Sequence, residues 1–205
     1  MNVITISREF GSGGRELAKL IAEKLGYDYY DKEIISTIAE RHNLDEKYVD
    51  DTLDSNILHS IPLTFSHSFV SPLVYDAPQT KLLIEQRKVI EEIAEKGNNC
   101  VIVGRNADVI LHEHNPFNIF VCASMQSKIE RCKARADKDE NLTDKALKKK
   151  IQRIDKNRAR TRFLIVDGEW GHRKSYHLIV NTTDWKDLDE LASSIAEMIK
   201  RWAKQ

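Results

Sequence analysis

Apolar residues fall into two patterns that alternate along the chain. Short continuous or β-branched runs predict five strands, at residues 3–6, 27–30, 100–103, 118–122 and 177–180. Stretches in which apolar residues recur every three or four positions predict helices at residues 17–25, 79–96, 107–111, 125–136, 143–162 and 188–202, with one more from about residue 32. This alternation is typical of an α/β fold in which helices cover both faces of an open parallel sheet.

Two segments interrupt this regular alternation. Residues 44–78 hold three of the four prolines and show weak periodicity, so we expect an inserted subdomain or a mobile region there. Residues 137–162 combine a short charged turn with a strongly basic helix. The whole chain, residues 1–205, has the length of a single domain that carries such an insertion.

The first predicted strand is followed by a glycine-rich loop, which consists of Gly11, Ser12, Gly13 and Gly14. Glycines let backbone N–H groups turn toward a bound anion, and the N-terminus of the next helix adds a favourable partial charge. Three glycines within four residues exceed the number that a plain tight turn requires. The loop therefore predicts a phosphate site in a three-layer, five-stranded fold of the P-loop NTPase type.

The loop departs from the Walker A pattern G-x-x-x-x-G-K-[ST], whose lysine contacts the β- and γ-phosphates and whose hydroxyl holds Mg²⁺. If Gly13 is the second glycine of the pattern, Arg8 stands at the first. Gly14 then replaces the lysine and Arg15 replaces the hydroxyl residue. In the other register Gly14 is the second glycine, Arg15 replaces the lysine and Glu16 replaces the hydroxyl residue.

In both registers the usual hydroxyl residue is absent, and an arginine is the candidate that would supply the positive charge of the missing lysine. Arg8 or Arg15 could provide it, because a guanidinium binds phosphate well. Ser7 or Ser12 could offer a hydroxyl.

Polar residues also follow the second and third predicted strands. Asp31 ends the second strand, where it could also cap the next helix, and Gly104 and Arg105 end the third. Open parallel sheets bind ligands at the carboxyl ends of their strands. Arg105 is therefore a candidate clamp for a second phosphate, and a surface salt bridge is the alternative.

Arginines are concentrated in two of the predicted helices. Arg158 and Arg162 are four residues apart on one helical face, and Asp155 lies three residues before Arg158. Arg131 and Arg135 form a second pair with the same spacing. In phosphoryl transfer, such arginines neutralise charge on the moving group.

Composition narrows the classes of function. Lys+Arg and Asp+Glu both number 32, and the zero net charge argues against bulk attraction to nucleic acid or to a membrane. The first residues lack the pattern of a signal peptide, and no apolar run is long enough to span a membrane. We therefore expect a cytoplasmic protein whose partners are small molecules.

The cysteines and histidines do not suggest a metal site. Cys100, Cys122 and Cys132 form no CxxC pair, and no HExxH or Cys/His ligand spacing occurs. Cys100 and Cys122 lie in apolar runs, where reduced thiols behave as small hydrophobic groups. We expect structural roles for these cysteines.

Five segments together resemble the cytidylate kinase-like family of nucleoside-monophosphate kinases. They are TISREFGSGGRE at residues 5–16, LGYDYYD at 25–31, VIVGRNA at 101–107, DKNR at 155–158 and YHLIVNT at 176–182. The resemblance implies a core domain, an insertion that binds the nucleoside monophosphate near residues 44–78, and an arginine-rich lid near residues 137–162. It also implies ATP as phosphate donor, Mg²⁺ as cofactor and CMP or dCMP as acceptor.

The resemblance also implies a role for each matching position. The residues that would hold the ATP phosphates are Arg8, Gly11, Ser12, Gly13, Gly14, Arg15 and Glu16. Those that would face the acceptor are Asp31, Gly104, Arg105, Arg131 and Arg162. Those that would act in the transfer itself are Arg15, Arg153, Asp155 and Arg158.

This chain departs from cytidylate kinases in two places. The lysine–serine pair of the loop is absent, and Lys32 and Glu33 follow the second strand where those enzymes have a turn containing Thr-Gly. The retained arginines favour a phosphotransferase with a variant P-loop. The absent lysine and hydroxyl favour a catalytically weak or inactive nucleotide-binding protein with a sensing or interaction role. A kinase for a non-nucleotide acceptor is the third hypothesis.

Overall fold

The computed structural model describes residues 2–54, 78–136, 143–166 and 168–204. The strands are β1 Val3–Arg8, β2 Asp28–Tyr30, β3 Cys100–Val103, β4 Phe117–Cys122 and β5 Leu178–Asn181. The α-helices are α1 Gly14–Leu25, α2 Glu33–His42, α3 Glu46–Asp54, α4 Pro78–Glu95, α5 Ala107–Ile110, α6 Met125–Ala134, α7 Asp144–Ile165 and α8 Leu188–Trp202. Short 3₁₀ helices occupy His112–His114 and Arg173–Ser175.

The five strands form one parallel sheet in the order β2-β3-β1-β4-β5. In the central strand, Ile6 pairs with Val103 on one side and with Ile119 on the other. Apolar side chains from α2, α3, α4 and α5 pack on one face of the sheet, and those from α1 and α8 pack on the other. The predicted three-layer α/β fold is confirmed.

Helix α1 ends at Leu25, as its predicted bounds indicate, and Gly26 follows as its cap. Gly26 has φ 65° and its N–H bonds to the carbonyls of Ala22 and Glu23, which is a left-handed C-terminal cap. Cys100 is a free, buried thiol in the core, as expected for a small hydrophobic group. Among the described residues, no helix is long and apolar enough to cross a membrane.

Strand β1 is longer than the predicted residues 3–6. Ser7 and Arg8 continue the strand because they pair with Phe120 and Val121 of β4. The turn that contains the glycine-rich loop therefore starts after Arg8.

The segment over residues 44–78 is only partly described. Its first part forms helix α3, which the weak periodicity did not predict; Val49 and Leu53 are the buried residues that join it to the core. Residues 55–77, and residues 137–142 of the predicted lid, lie outside the described residues. The insertion and lid assignments therefore stay predictions.

Ile102 offers a test of the core. Its side chain is fully buried in the sheet, so we expect Ile102→Ala to lower the free energy of unfolding by about 2–5 kcal/mol. Ile84→Ala is the control, because Ile84 is exposed on α4; its effect should stay within about 0.5 kcal/mol. Urea denaturation measures both values, and equal effects of the two substitutions would contradict the packing described.

Candidate phosphoryl-transfer site

The glycine-rich loop connects β1 to α1 through two glycines with positive φ. Gly11 has φ 79° and Gly13 has φ 81°, which are conformations that residues with a side chain rarely adopt. Ser12 is fully buried between them; its hydroxyl donates to the Glu9 carbonyl at 2.9 Å and accepts from the Gly14 N–H at 3.4 Å. The Ser12 hydroxyl therefore stabilises the loop from inside.

Arg8 occupies the space that a side chain at residue 14 would need. A Cβ atom on Gly14 would lie 2.5 Å from the Arg8 Cβ and 3.1 Å from its Cγ. Helix α1 begins at Gly14, with Gly13 as its N-cap. In the register that gives residue 14 the lysine position, a side chain at residue 14 and the Arg8 side chain therefore exclude each other.

The Arg8 guanidinium extends to the end of β3. A Cβ atom on Gly104 would lie 1.5 Å from the Arg8 Nη1, and Gly104 has φ 70°. Glycine at residue 104 therefore leaves room for the guanidinium. Arg8 thus extends from the end of β1, next to the glycine-rich loop, to the end of the neighbouring strand.

The surroundings of Arg8 are strongly positive. Burial, the nearby Arg158 and, to a smaller extent, Arg105 and Arg15 lower the pKa of Arg8 to about 9, although Asp31 opposes this shift. The Arg8 side chain is only 12% exposed, and its carbonyl accepts a hydrogen bond from the Arg158 Nη1 at 2.9 Å. A buried, incompletely neutralised cation of this kind is stabilised by an incoming anion.

Asp31 is the partner of the loop arginines. Its Oδ2 lies 2.5 Å from the Arg15 Nε, and its Oδ1 lies 3.6 Å from the Arg8 Nη2. The suggested capping role for Asp31 is wrong: Lys32 is the N-cap of α2, and no side chain caps that helix. The ion pairs keep the buried Asp31 carboxylate turned toward the loop.

Two cavities meet at Arg8 and Arg158. The loop cavity, of about 310 Å³, lies against the glycine loop and α6; among the residues that line it are Gly11, Gly13, Arg15, Arg131 and Lys150. The strand-end cavity lies beside the end of β3; among the residues that line it are Ser7, Gln86, Arg105 and Trp170. Arg8 and Arg158 line both cavities. Their side chains therefore stand at the boundary between two binding spaces.

Arg105 lies in the strand-end cavity and is already paired. Its guanidinium contacts the Asp50 carboxylate of α3, and its carbonyl accepts from the buried Gln86 Nε2 at 3.2 Å. Arg105 adopts φ 56°, which places it in the turn after β3. The arginine predicted to clamp a phosphate thus lines the cavity, but its guanidinium is paired with a carboxylate.

Asp155 contacts the segment that leads into the glycine-rich loop, at Phe10. Its Oδ1 accepts from the Phe10 N–H at 2.7 Å, and its Oδ2 lies 3.3 Å from the Lys128 Nζ. Lys128 is buried and also contacts the Glu9 Oε2 at 2.7 Å. Sequence reasoning missed Lys128; the available signal was its position next to Ile129, on the inward side of α6.

The remaining predicted arginines are dispersed. Arg131 Nη2 donates to the carbonyls of Thr182, at 2.5 Å, and Trp185, at 3.3 Å, and its side chain also lines the loop cavity. Arg153 is exposed on α7. Arg162 is buried in an ion pair with Asp108, whose Oδ2 lies 2.5 Å from the Arg162 Nη1, so the structure does not bring Arg162 to either cavity described above.

Glu16 and Arg135 connect α1 to the end of α6. The Arg135 Nη2 contacts the Glu16 Oε2, and both side chains are half-exposed. Glu16, predicted to hold ATP phosphates, is thus paired with a cation and is not among the residues that line the loop cavity.

Residues 3–184 match the sequence profile of one protein family, over most of the chain. The chain belongs to the cytidylate kinase-like family. No curated protein matches it. The sequence resemblance stated above is thereby confirmed.

Solved structures similar to this member of the cytidylate kinase-like family share its fold. An uncharacterised protein from Eubacterium ventriosum is 23% identical with a TM-score of 0.69, over 98% of this chain and 99% of that one. Shikimate kinase from Bacteroides thetaiotaomicron is 17% identical with a TM-score of 0.58, over 100% and 99%. Shikimate kinase from Acinetobacter baumannii, solved with shikimate, is 13% identical with a TM-score of 0.55, over 98% and 94%. The chain therefore has the fold of P-loop kinases.

The family implies Mg²⁺, and the described residues around the loop do not fit a metal ion held directly by the protein. The carboxylates of Glu9, Asp31 and Asp155 are each paired with a lysine or an arginine. The Ser12 hydroxyl lies inside the loop. Within the described ranges, no group of three or more His, Cys, Asp or Glu side chains could hold a metal ion. The side chains that face the loop cavity are instead rich in guanidinium groups.

Proposed function

We propose that this protein is a nucleotide phosphotransferase that moves the γ-phosphoryl group of ATP to CMP, dCMP or a related nucleoside monophosphate. The observation that carries the proposal is the shared position of Arg8 and Arg158, which line both the loop cavity and the strand-end cavity. A phosphoryl group that passes from a donor in one cavity to an acceptor in the other would travel beside these two cations. In-line transfer depends on positioning and on neutralised charge more than on covalent chemistry of the protein.

The proposed donor occupies the loop cavity. Its phosphates would lie against the N–H groups between Gly11 and Gly14 and at the N-terminus of α1, where the helix dipole favours negative charge. Arg8 would supply the positive charge of the absent lysine, because it lines the loop cavity and its guanidinium extends to the end of β3 at Gly104. Arg131 and Lys150 would add positive charge on the opposite wall.

The proposed acceptor occupies the strand-end cavity. Its phosphate would lie near Arg105 and Arg158, which both line this cavity. A phosphate oxygen of the acceptor attacks the γ-phosphorus, and the bond from that phosphorus to the β–γ bridging oxygen breaks. The bridging oxygen keeps the electron pair, so ATP and CMP yield ADP and CDP without a net proton transfer.

An acceptor panel tests the proposal. ADP release from ATP is measured by a coupled assay with CMP, dCMP, UMP, AMP and shikimate as acceptors. Turnover with a pyrimidine monophosphate is the expected result. Measurable ATP binding without turnover on any acceptor would overturn the proposal in favour of a nucleotide-binding protein, and turnover on shikimate alone would assign a different acceptor class.

Anion binding should also stabilise the protein. Because Arg8 is buried among other cations, pyrophosphate at about 100 times its Kd is expected to add about 2.7 kcal/mol of stability, which raises Tm by about 5–10 °C. Sodium chloride at equal ionic strength is the control. A thermal shift with pyrophosphate no larger than that with the control salt would contradict an anion site at the loop.

A further inference from the structure

A buried lysine lies between the phosphate loop and the arginine-bearing helix. The Lys128 side chain, on α6, is only 6% exposed, and its Nζ lies 2.7 Å from the Glu9 Oε2 and 3.3 Å from the Asp155 Oδ2. Lys128 is the one lysine that is buried among the described residues. Burial of a lysine is costly unless its charge is paired, and here two carboxylates pair it.

Each carboxylate that Lys128 contacts is also bound to the backbone of a different segment. The Glu9 Oε2 accepts from the Ala123 N–H at 3.1 Å, at the end of β4. The Asp155 Oδ1 accepts from the Phe10 N–H at 2.7 Å, within the loop. Lys128 therefore joins the loop residues that follow Arg8 to α6 and to α7.

The same contacts set the position of Arg158. Arg158 lies one helical turn after Asp155 on α7, and its Nη1 bonds to the Arg8 carbonyl at 2.9 Å. Lys128 keeps Asp155 in contact with the Phe10 N–H. Because Asp155 is one turn before Arg158, this contact fixes that part of α7 relative to the loop. Without that charge, the buried carboxylates of Glu9 and Asp155 would repel each other and this contact would loosen.

We infer that Lys128 is a positioning residue, which holds the phosphate loop and α7 together so that Arg158 faces the transferred phosphate. The effect of Lys128 on phosphoryl transfer rests on the proposed function. Its effect on the binding of an anion at the loop can be measured even if the protein does not turn over. Lys128 itself lines neither of the two cavities described, so it acts through Arg158 and the loop.

Three variants test this role. Lys128→Met removes the charge at similar length, and Lys128→Arg keeps it. Lys133→Met is the matched control, because Lys133 lies on the same helix and pairs with Asp144 of α7 at 2.5 Å, but on an exposed surface. Circular dichroism and Tm establish that each variant is folded, and Glu9→Gln/Lys128→Met, which removes one of the two carboxylate charges, replaces Lys128→Met if the latter does not fold.

Calorimetric titration with pyrophosphate is the first readout. We expect Lys128→Met to bind pyrophosphate about tenfold more weakly than the unmodified protein. Lys128→Arg should bind it nearly as tightly as the unmodified protein, and Lys133→Met should bind it equally tightly. If ATP and CMP turn over, kcat should fall about a hundredfold, a size typical of misplaced catalytic groups. In an Arg158→Met background, Lys128→Met should add little further loss, because residues that act as a unit are not additive.

The outcomes separate the inference from the proposed function. If the unmodified protein binds pyrophosphate but does not turn over, the proposed function fails and the affinities still test Lys128. If folded Lys128→Met binds pyrophosphate as tightly as the unmodified protein, or if its loss adds in full to that of Arg158→Met, Lys128 does not position Arg158.

Discussion

Replacement of Arg8 by Met is expected to lower kcat/KM for phosphoryl transfer about a thousandfold, at the lower end of what a transfer-site arginine contributes. Arg8 lines both cavities, and in the proposed function its guanidinium supplies the positive charge of the absent Walker lysine. That charge would stabilise the transferred group most when the bond to the β–γ bridging oxygen breaks. We therefore expect most of the loss in kcat, with a smaller rise in the KM for ATP.

Two further arginine variants serve as controls for Arg8. Arg87→Met removes an exposed arginine that pairs with Glu91 on the surface of α4, and it should leave kcat/KM unchanged. Arg15→Met removes a half-exposed side chain that is directed at Asp31, so its effect should be smaller than that of Arg8→Met. Equal activity of the Arg8→Met variant and the unmodified enzyme would reject the role assigned to Arg8.

Replacement of Gly14 by Lys is expected to abolish transfer, although it introduces the residue found in the Walker pattern. A Cβ atom at residue 14 would lie 2.5 Å from the Arg8 Cβ, so the new side chain and Arg8 cannot occupy the site together. One of them must move, and either movement displaces the loop from the N-terminus of α1. Measured kcat/KM and pyrophosphate affinity should both fall below those of Arg8→Met.

The double variant Arg8→Gly/Gly14→Lys decides whether the two positions exchange roles. Arg8→Gly removes the obstruction and completes the pattern G-x-x-x-x-G-K over residues 8–14. We expect the double variant to bind pyrophosphate more tightly than Gly14→Lys alone, with a coupling energy of about 1–3 kcal/mol in the double-mutant cycle. Strictly additive effects would show that Arg8 and Gly14 are independent.

Local patterns predicted most of the fold. The β-branched runs and the three- and four-residue spacing locate all five strands of the sheet and most helices within a few residues. Helix α3 was missed because Val49 and Leu53 are its buried apolar residues, and two apolar positions are too few to show a period. The extension of β1 to Arg8 was missed because its pairing with Val121 is made across the sheet.

The site was predicted less completely because its geometry depends on contacts distant in sequence. The glycine loop and the carboxyl ends of the strands were found from local patterns, as were Asp31 and Arg105. The burial of Arg162 against Asp108 involves two elements separated by 54 residues, which no helical spacing reveals. Lys128 was missed because its partners Glu9 and Asp155 are distant in sequence and because a lysine on an amphipathic helix usually keeps its charged end in solvent.

The proposed choice between Arg8 and Arg15 also needed the structure. The sequence left both as candidates for the missing positive charge. The structure shows that Arg8 is the more buried of the two and lines both cavities, whereas Arg15 is half-exposed and lines the loop cavity alone. These contacts are made across the sheet, so no local pattern reveals them.

Single-turnover transfer from γ-labelled ATP to CMP by the unmodified protein tests the central claim most directly. The proposed function predicts that labelled CDP and unlabelled ADP form in equal amounts. It also predicts that Arg8→Met slows the formation of CDP about a thousandfold. Bound ATP that stays intact in the presence of CMP, dCMP and UMP, or label transfer that Arg8→Met leaves unchanged, would contradict it.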